Sequence, residues 1–168
     1  MTDPTESAGR ATNAKIVFER TYRASVRELW DLWTTKEGFE SWWAPEGLRA
    51  EVRTMEARLG GRYVYDMIGD TPETIAGLEK MGLPRSQVVR GRFSEFRPHQ
   101  SLALTQMMDF VPGVAPYETT MRVEFFPAGE YVRMVLTVNT TAHSEEWTRL
   151  SKEGFESQLG KLDKRFGH

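Results

Sequence analysis

Lys15–Thr34 reads KIVFERTYRASVRELWDLWT and carries a strand directly into a helix. In its first half Ile16, Phe18, Arg20 and Tyr22 alternate with Val17, Glu19 and Thr21, the two-residue period of a strand rich in β-branched and aromatic side chains. Ser25 is then placed to cap a helix, with Glu28 three residues on to complete a capping box. Val26, Leu29, Trp30 and Trp33 follow at spacings of three and four, which puts them on one helical face. After a break at Thr34-Thr35, KEGFESWW predicts a second short helix that ends before Pro45 and Gly47. The chain thus starts as one strand and two short helices.

Working outward, Leu48–Ala57 and Gly61–Met67 read as strands joined at Leu59-Gly60-Gly61, a hairpin signal. The second of them puts Tyr63, Tyr65 and Met67 on one face and Val64, Asp66 and Ile68 on the other. Residues 71–86 break the pattern: Pro72 suits a first helical turn, Ile75, Leu78 and Met81 recur at helical spacing, and Gly82 and Pro84 stop it. This segment is expected to be a helical insertion over the cavity entrance. Three or four more strands are expected, from Val88–Phe96, Leu102–Phe110, Tyr117–Phe126 and Tyr131–Thr141, with turns at Pro98-His99-Gln100 and Pro127-Ala128-Gly129. Ser144–Phe166 closes the chain as one long amphipathic helix whose stripe includes Trp147, Leu150, Gly154, Phe155, Gln158, Leu159, Leu162 and Phe166. Short loops favour an antiparallel meander, so the class is α+β: a curved antiparallel sheet wrapped around a long C-terminal helix. Between such a sheet and its helix a ligand cavity has room to form.

Composition fits that picture. The chain has 168 residues, 24 acidic and 22 basic side chains and a net charge of −2, which suits one domain with a core of its own. The near-neutral balance speaks against a nucleic-acid partner, and no run of 18 apolar residues predicts membrane insertion. Cysteine is absent, which removes disulfides, thiolate metal sites and a cysteine nucleophile. Residues 1–14 are small and polar and read as a disordered lead-in, so the single domain is expected over 15–168, in the cytoplasm.

In combination, several segments resemble the START-like (SRPBCC) superfamily with its helix-grip fold, and within it the bacterial proteins related to the activator of the heat-shock-protein-90 ATPase. They are FERTYRAS running into VRELWDLWT, the cluster Phe39, Trp42 and Trp43 before Ala44-Pro45, Leu59-Gly60-Gly61-Arg62-Tyr63, Gly91–Phe96 with Pro98 and Leu102, and Glu153-Gly154-Phe155. The similarity spans about residues 15–166. Two departures stand out: Glu56 sits in a Met55-Glu56-Ala57 context where the family has an acidic residue just before the hairpin, and 71–86 is longer than a simple hairpin. The resemblance implies the fold; it does not by itself license a reaction.

Candidate ligand-binding residues follow from placing the pattern on that fold. Trp42, Trp43, Tyr63, Tyr65, Met67, Met108, Phe110, Tyr117, Met121, Phe155 and Leu159 fall where the sheet and last helix would face each other. Aromatic and methionine side chains make polarizable, adaptable walls, though the same periodicity also describes an ordinary filled core. Gly154 bears on the choice: an interior helical glycine costs about 1 kcal/mol relative to alanine, which suggests close approach of another element or space for a ligand. Gln106, in phase with Leu102, Leu104 and Met108, is a buried amide that needs partners. Arg92, with Arg90, would bind an acidic group if it faced inward and is a solvated strand face if it points outward.

Acid–base chemistry has little to work with. His99 lies in a turn, His143 precedes the last helix and His168 is terminal; none is spaced for metal ligation. No Gly-x-Ser-x-Gly or phosphate-binding loop occurs, and no cofactor is expected. The leading expectation is a domain that binds a small hydrophobic or aromatic molecule without defined catalysis. A polyketide cyclase- or hydrolase-like enzyme would use the same cavity, steered by Arg92, Gln106, Tyr65 and Tyr117. A chaperone-interaction module stands third, by family analogy alone, and a homodimer through a sheet edge or the inserted helix is left open.

Overall fold

The structure is a computed structural model that describes residues 12–109, 113–142 and 145–167. Among the described residues seven strands form one antiparallel sheet: β1 (Thr12–Tyr22), β2 (Leu48–Met55), β3 (Arg62–Gly69), β4 (Ser86–Arg97), β5 (Ser101–Met108), β6 (Tyr117–Ala128) and β7 (Tyr131–Ala142). Among the same residues four helices accompany them: α1 (Val26–Thr34), α2 (Lys36–Glu40), α3 (Pro72–Lys80) and α4 (Glu145–Phe166). Sheet order is β1-β7-β6-β5-β4-β3-β2. Strands β2 to β7 are therefore a meander of successive neighbours, and α1 with α2 carries the chain from β1 at one edge to β2 at the other. The sheet curves around α4 in the helix-grip arrangement, an α+β fold.

Local chemistry sets the element ends. Ser25 caps α1 with the full capping box: its Oγ accepts from the Glu28 N–H at 3.1 Å while Glu28 Oε1 accepts from the Ser25 N–H at 2.9 Å. Strand β1 starts at Thr12 rather than Lys15, because Thr12, Asn13 and Ala14 pair with Ala142, Thr141 and Thr140 of β7. Part of the expected lead-in is thus strand, and residues 1–11 lie outside the described residues. Helix α2 stops at Glu40, short of the expected Trp43, and the two tryptophans follow it in an irregular segment. Glu40 uses its carboxylate to accept the Val52 N–H at 2.7 Å, where the β2–β3 register shifts between Val52 and Thr54. A second shift, between Phe93 and Glu95, interrupts β4; such bulges bend and twist a strand. At the β2–β3 turn the expected hairpin residues act as expected. Gly60 has a φ of +76°, and a Cβ on Gly61 would lie 1.9 Å from the Glu56 carbonyl oxygen, so that position admits only glycine.

The core lies between the concave face of the sheet and the helices. Trp33, Phe39, Trp42 and Trp43 pack ring against ring, with centroids 4.9 Å apart for Trp33–Trp42 and 4.7 Å for the stacked Phe39–Trp43 pair. Helix α4 seals the other end through Phe18–Phe155 and Tyr22–Phe166 contacts at 5.7 and 5.6 Å, and through fully buried Leu159 and Leu162. Polar ties pin α4 in place. The Tyr22 hydroxyl donates to Asp163 at 2.7 Å, Lys161 Nζ donates to the Ala44 carbonyl at 2.6 Å, and Ser157 Oγ accepts the Glu46 N–H at 2.9 Å. No helix among the described residues is long and apolar enough to cross a membrane.

Candidate functional site

A cavity of about 350 Å³ opens between the sheet and α4. Its floor is the inner face of the sheet: Leu48 of β2, Tyr65 and Met67 of β3, Gln87 and Val89 of β4, Gln106 and Met108 of β5, and Met121 of β6. Its roof is one face of α4, where Leu150, Ser151, Gly154, Phe155 and Gln158 recur at helical spacing. Trp43 and Pro45 close one side, and Leu78, Met81, Leu83, Pro84 and Arg85 from the α3 segment close another.

The insertion at 71–86 is thus part of the wall. Thr71 caps α3 by accepting the Thr74 N–H at 3.2 Å, with Pro72 in the first turn. The helix lies against Gly69, where an added Cβ would come within 3.2 Å of Ile75 Cγ1 and Leu78 Cδ1. The Leu83 N–H bonds to the Leu78 carbonyl at 2.8 Å, which turns Leu83 back to the floor, where it is buried.

Of the sequence-predicted residues, the fold brings Trp43, Tyr65, Met67, Gln106, Met108, Met121 and Phe155 to the cavity surface. Trp42, Tyr63 and Leu159 are buried but stand behind the wall; Trp42 packs into the tryptophan cluster and donates its indole N–H to the Leu32 carbonyl at 2.8 Å. Tyr117 is half-buried outside the lining, and Phe110 lies outside the described residues. Arg92 is a correction. Strand alternation that turns Val89 and Phe93 inward turns Arg90 and Arg92 outward, and Arg92 pairs with Glu118 at 3.1 Å with both side chains about half exposed. An acid-binding arginine pair inside the cavity is therefore ruled out. The wall residues contributed by 78–85 escaped sequence reasoning because their helix docks from outside the strand pattern. Gln87 and Gln158 did carry a signal, being in phase with Val89 and Phe155.

The polar groups of the cavity are linked. Trp43 Nε1 donates to the Tyr65 hydroxyl at 2.9 Å, and the Tyr63 hydroxyl donates to Gln106 Oε1 at 2.9 Å. Tyr63 and Tyr65 lie nearly parallel, 6.2 Å apart. Burial pushes the Tyr65 phenol up to about 12, with hydrogen bonds from Trp43 and Gln106 pulling the other way, and burial raises Tyr63 well above the ordinary value. Both phenols are protonated donors at neutral pH. Gln87 Oε1 and Gln158 Nε2 are buried with no hydrogen-bond partner. Arg85 sits at the rim and donates to the Gly69 carbonyl at 3.2 Å. At Gly154 an added Cβ would meet only Pro45 Cγ, at 3.6 Å, an ordinary contact, so this glycine leaves space rather than permitting a tight crossing. Among the described residues, no group of three or more His, Asp or Glu side chains gathers to hold a metal ion.

Solved structures share this architecture. A protein of Chromobacterium violaceum superposes with a TM-score of 0.73 at 16% identity, covering 90% of this chain and 96% of its own. An AHSA1 protein of Silicibacter pomeroyi gives 0.69 at 22% identity, covering 90% and 96%. A protein of Arthrobacter aurescens gives 0.67 at 20% identity, covering 89% and 83%. At these identities the likeness is one of fold. No curated protein matches the sequence closely. The sequence model described as "Activator of Hsp90 ATPase homolog 1-like protein" matches residues 23–167, which takes in every element from α1 to α4. With that match and the helix-grip architecture, the chain belongs to the family of activator of Hsp90 ATPase homolog 1-like proteins.

Proposed function

We propose that the protein binds a small, largely apolar molecule between its sheet and α4. The observation that carries this reading is the cavity itself. Its 350 Å³ falls in the range of about 300–1,000 Å³ common for small-molecule sites, and its lining is mostly aliphatic, aromatic and methionine side chains. Filling such a space with an apolar body removes that surface from water, at roughly 25 cal/mol per Å². Among the described residues the polar side chains at its surface are amides, hydroxyls and a guanidinium at the rim, groups that orient a bound molecule through hydrogen bonds. Binding rather than turnover is the function these groups support.

The test is an amide-shift titration of isotope-labelled protein with two-ring aromatic compounds. Saturable shifts are expected at Tyr65, Met67, Gln106 and Gly154–Gln158, and a Gly154→Trp variant, whose indole would fill the cavity, should lose them. Saturable binding that leaves those amides unmoved, or that persists in Gly154→Trp, would place the ligand elsewhere. No shift with any compound would turn the search to protein partners.

A further inference from the structure

We infer that the cavity selects an uncharged ligand that carries both a hydrogen-bond acceptor and a hydrogen-bond donor, of the carboxamide or lactam kind, over its carboxylate counterpart. This rests on the reading of the cavity as a ligand site and specifies what enters it.

The argument begins with unmade hydrogen bonds. Gln158 is 96% buried, lines the cavity from α4, and its Nε2 has no partner. On the floor Gln87 Oε1 is likewise buried and unpartnered. Buried amides are nearly always paired, because each orphan group forfeits the bonds it makes to water in the unfolded chain. A third group adds to them. The Tyr65 hydroxyl oxygen accepts from Trp43 Nε1 at 2.9 Å, which leaves its own proton for a further acceptor. Gln106 Oε1, by contrast, already has a protein donor, the Tyr63 hydroxyl at 2.9 Å.

Tyr65 and Gln87 share one sheet face. Tyr65 registers with Val89 and Met67 with Gln87, so Gln87 is a diagonal neighbour of Tyr65, with α4 and Gln158 across the cavity. Of its buried amides and phenols the cavity thus offers donors from Gln158 and Tyr65 and an acceptor from Gln87, beside the Ser151 hydroxyl of α4, which can do either. A carbonyl oxygen satisfies the donors and an N–H satisfies the acceptor. A carboxylate has no hydrogen for Gln87, and its charge would be buried without a cation. The one guanidinium in the lining among the described residues, Arg85, is at the exposed rim and donates to the Gly69 carbonyl. Taking an unpaired charge out of water is strongly unfavourable.

The experiment compares three probes of one shape at neutral pH: 2-naphthamide, 2-naphthoate and 2-methylnaphthalene. Affinities are measured by amide-shift titration on the intact chain and on Gln158→Met, whose side chain has similar length and no hydrogen-bonding amide. Naphthamide is expected to bind at least tenfold more tightly than naphthoate and more tightly than methylnaphthalene. Its advantage over methylnaphthalene should shrink several-fold in Gln158→Met. In the unaltered protein the Gln158 side-chain NH2 resonances should shift on saturation with naphthamide, a readout that does not depend on the variant folding. Equal or tighter binding of naphthoate or methylnaphthalene at the cavity amides would overturn the selectivity while leaving the ligand site standing. Unmoved Gln158 NH2 resonances would overturn it as well. Failure of all three probes to shift any cavity amide would overturn the ligand site together with its selectivity.

Discussion

The Tyr63 hydroxyl reaches Gln106 Oε1 at 2.9 Å from two strands away, passing over Gly91 of the strand between. Tyr63 registers with Gly91 on β3–β4, and Gly91 registers with Gln106 on β4–β5, so the three stand in one row across the sheet. A Cβ on Gly91 would lie 2.4 Å from both Tyr63 Cζ and its hydroxyl oxygen. The bare backbone at Gly91 is what lets the phenol lie flat enough to satisfy a buried amide. By holding Gln106 Oε1, Tyr63 also decides which end of that amide is left toward Tyr65.

Gly91→Ala is therefore expected to destabilise the fold. The ring must move, and the added methyl also lies 2.6 Å from the Thr105 carbonyl oxygen, which is backbone and cannot swing away. Overpacking of this kind costs about 1–3 kcal/mol, read from the urea midpoint at unchanged m-value. Tyr63→Phe should cost about 1–3 kcal/mol by orphaning Gln106 Oε1. The double variant should fall short of the sum, because the first change already breaks the bond removed by the second.

Gly154→Ala should move stability the other way. Its Cβ meets only Pro45 Cγ at 3.6 Å, so the variant gains helix propensity without a clash, up to about 1 kcal/mol. Thermal unfolding is the check. A fall in Tm would mean that α4 approaches the 44–46 segment more closely than the described contact.

Acidification should weaken the fold through Glu95. Its carboxylate accepts from Arg122 Nε at 3.0 Å and from the Ser101 hydroxyl, and these bonds hold it below its ordinary value of 4.5. A group whose folded pKa is depressed contributes stability above its unfolded pKa and loses it as pH falls through the folded one. Urea midpoints measured downward from pH 5 should drop less steeply in Glu95→Gln than in the unaltered protein. Parallel curves would show that the Arg122 pair does not survive in solution.

Alkali should act through the buried phenols. Burial raises Tyr65 to about 12 and raises Tyr22 and Tyr63 above 10.0, the ordinary value. For a folded pKa raised above the unfolded one, an acid that is neutral when protonated contributes stability below the unfolded pKa, lost as pH rises through the folded pKa. Stability should thus decline as pH climbs past 10 toward 12. Tyr65→Phe, which removes one of these titrating phenols, should shorten that decline in ultraviolet-monitored titration.

Much of this was legible before any coordinates. The alternation of Ile16, Phe18 and Tyr22, the Ser25–Glu28 box and the stripe of Phe155, Leu159 and Leu162 are local regularities, written by backbone geometry at a period of two or 3.6 residues. They determine which elements form, roughly where they end and which face each buries, and so the α+β class. Local periodicity does not say which of two buried residues a cavity separates. Trp42 and Trp43 are adjacent, both buried and both in the aromatic cluster, yet only Trp43 also borders the cavity. Arg92 could be placed only when the strand's phase was set by its neighbours across the sheet, and Leu78–Arg85 became wall only because Gly69 lets α3 dock. The sequence by itself determined the elements and their apolar faces, since those depend on residues near in the chain. The cavity, its lining and its unpaired amides were decided by tertiary structure alone, because empty space is what remains after distant side chains have packed.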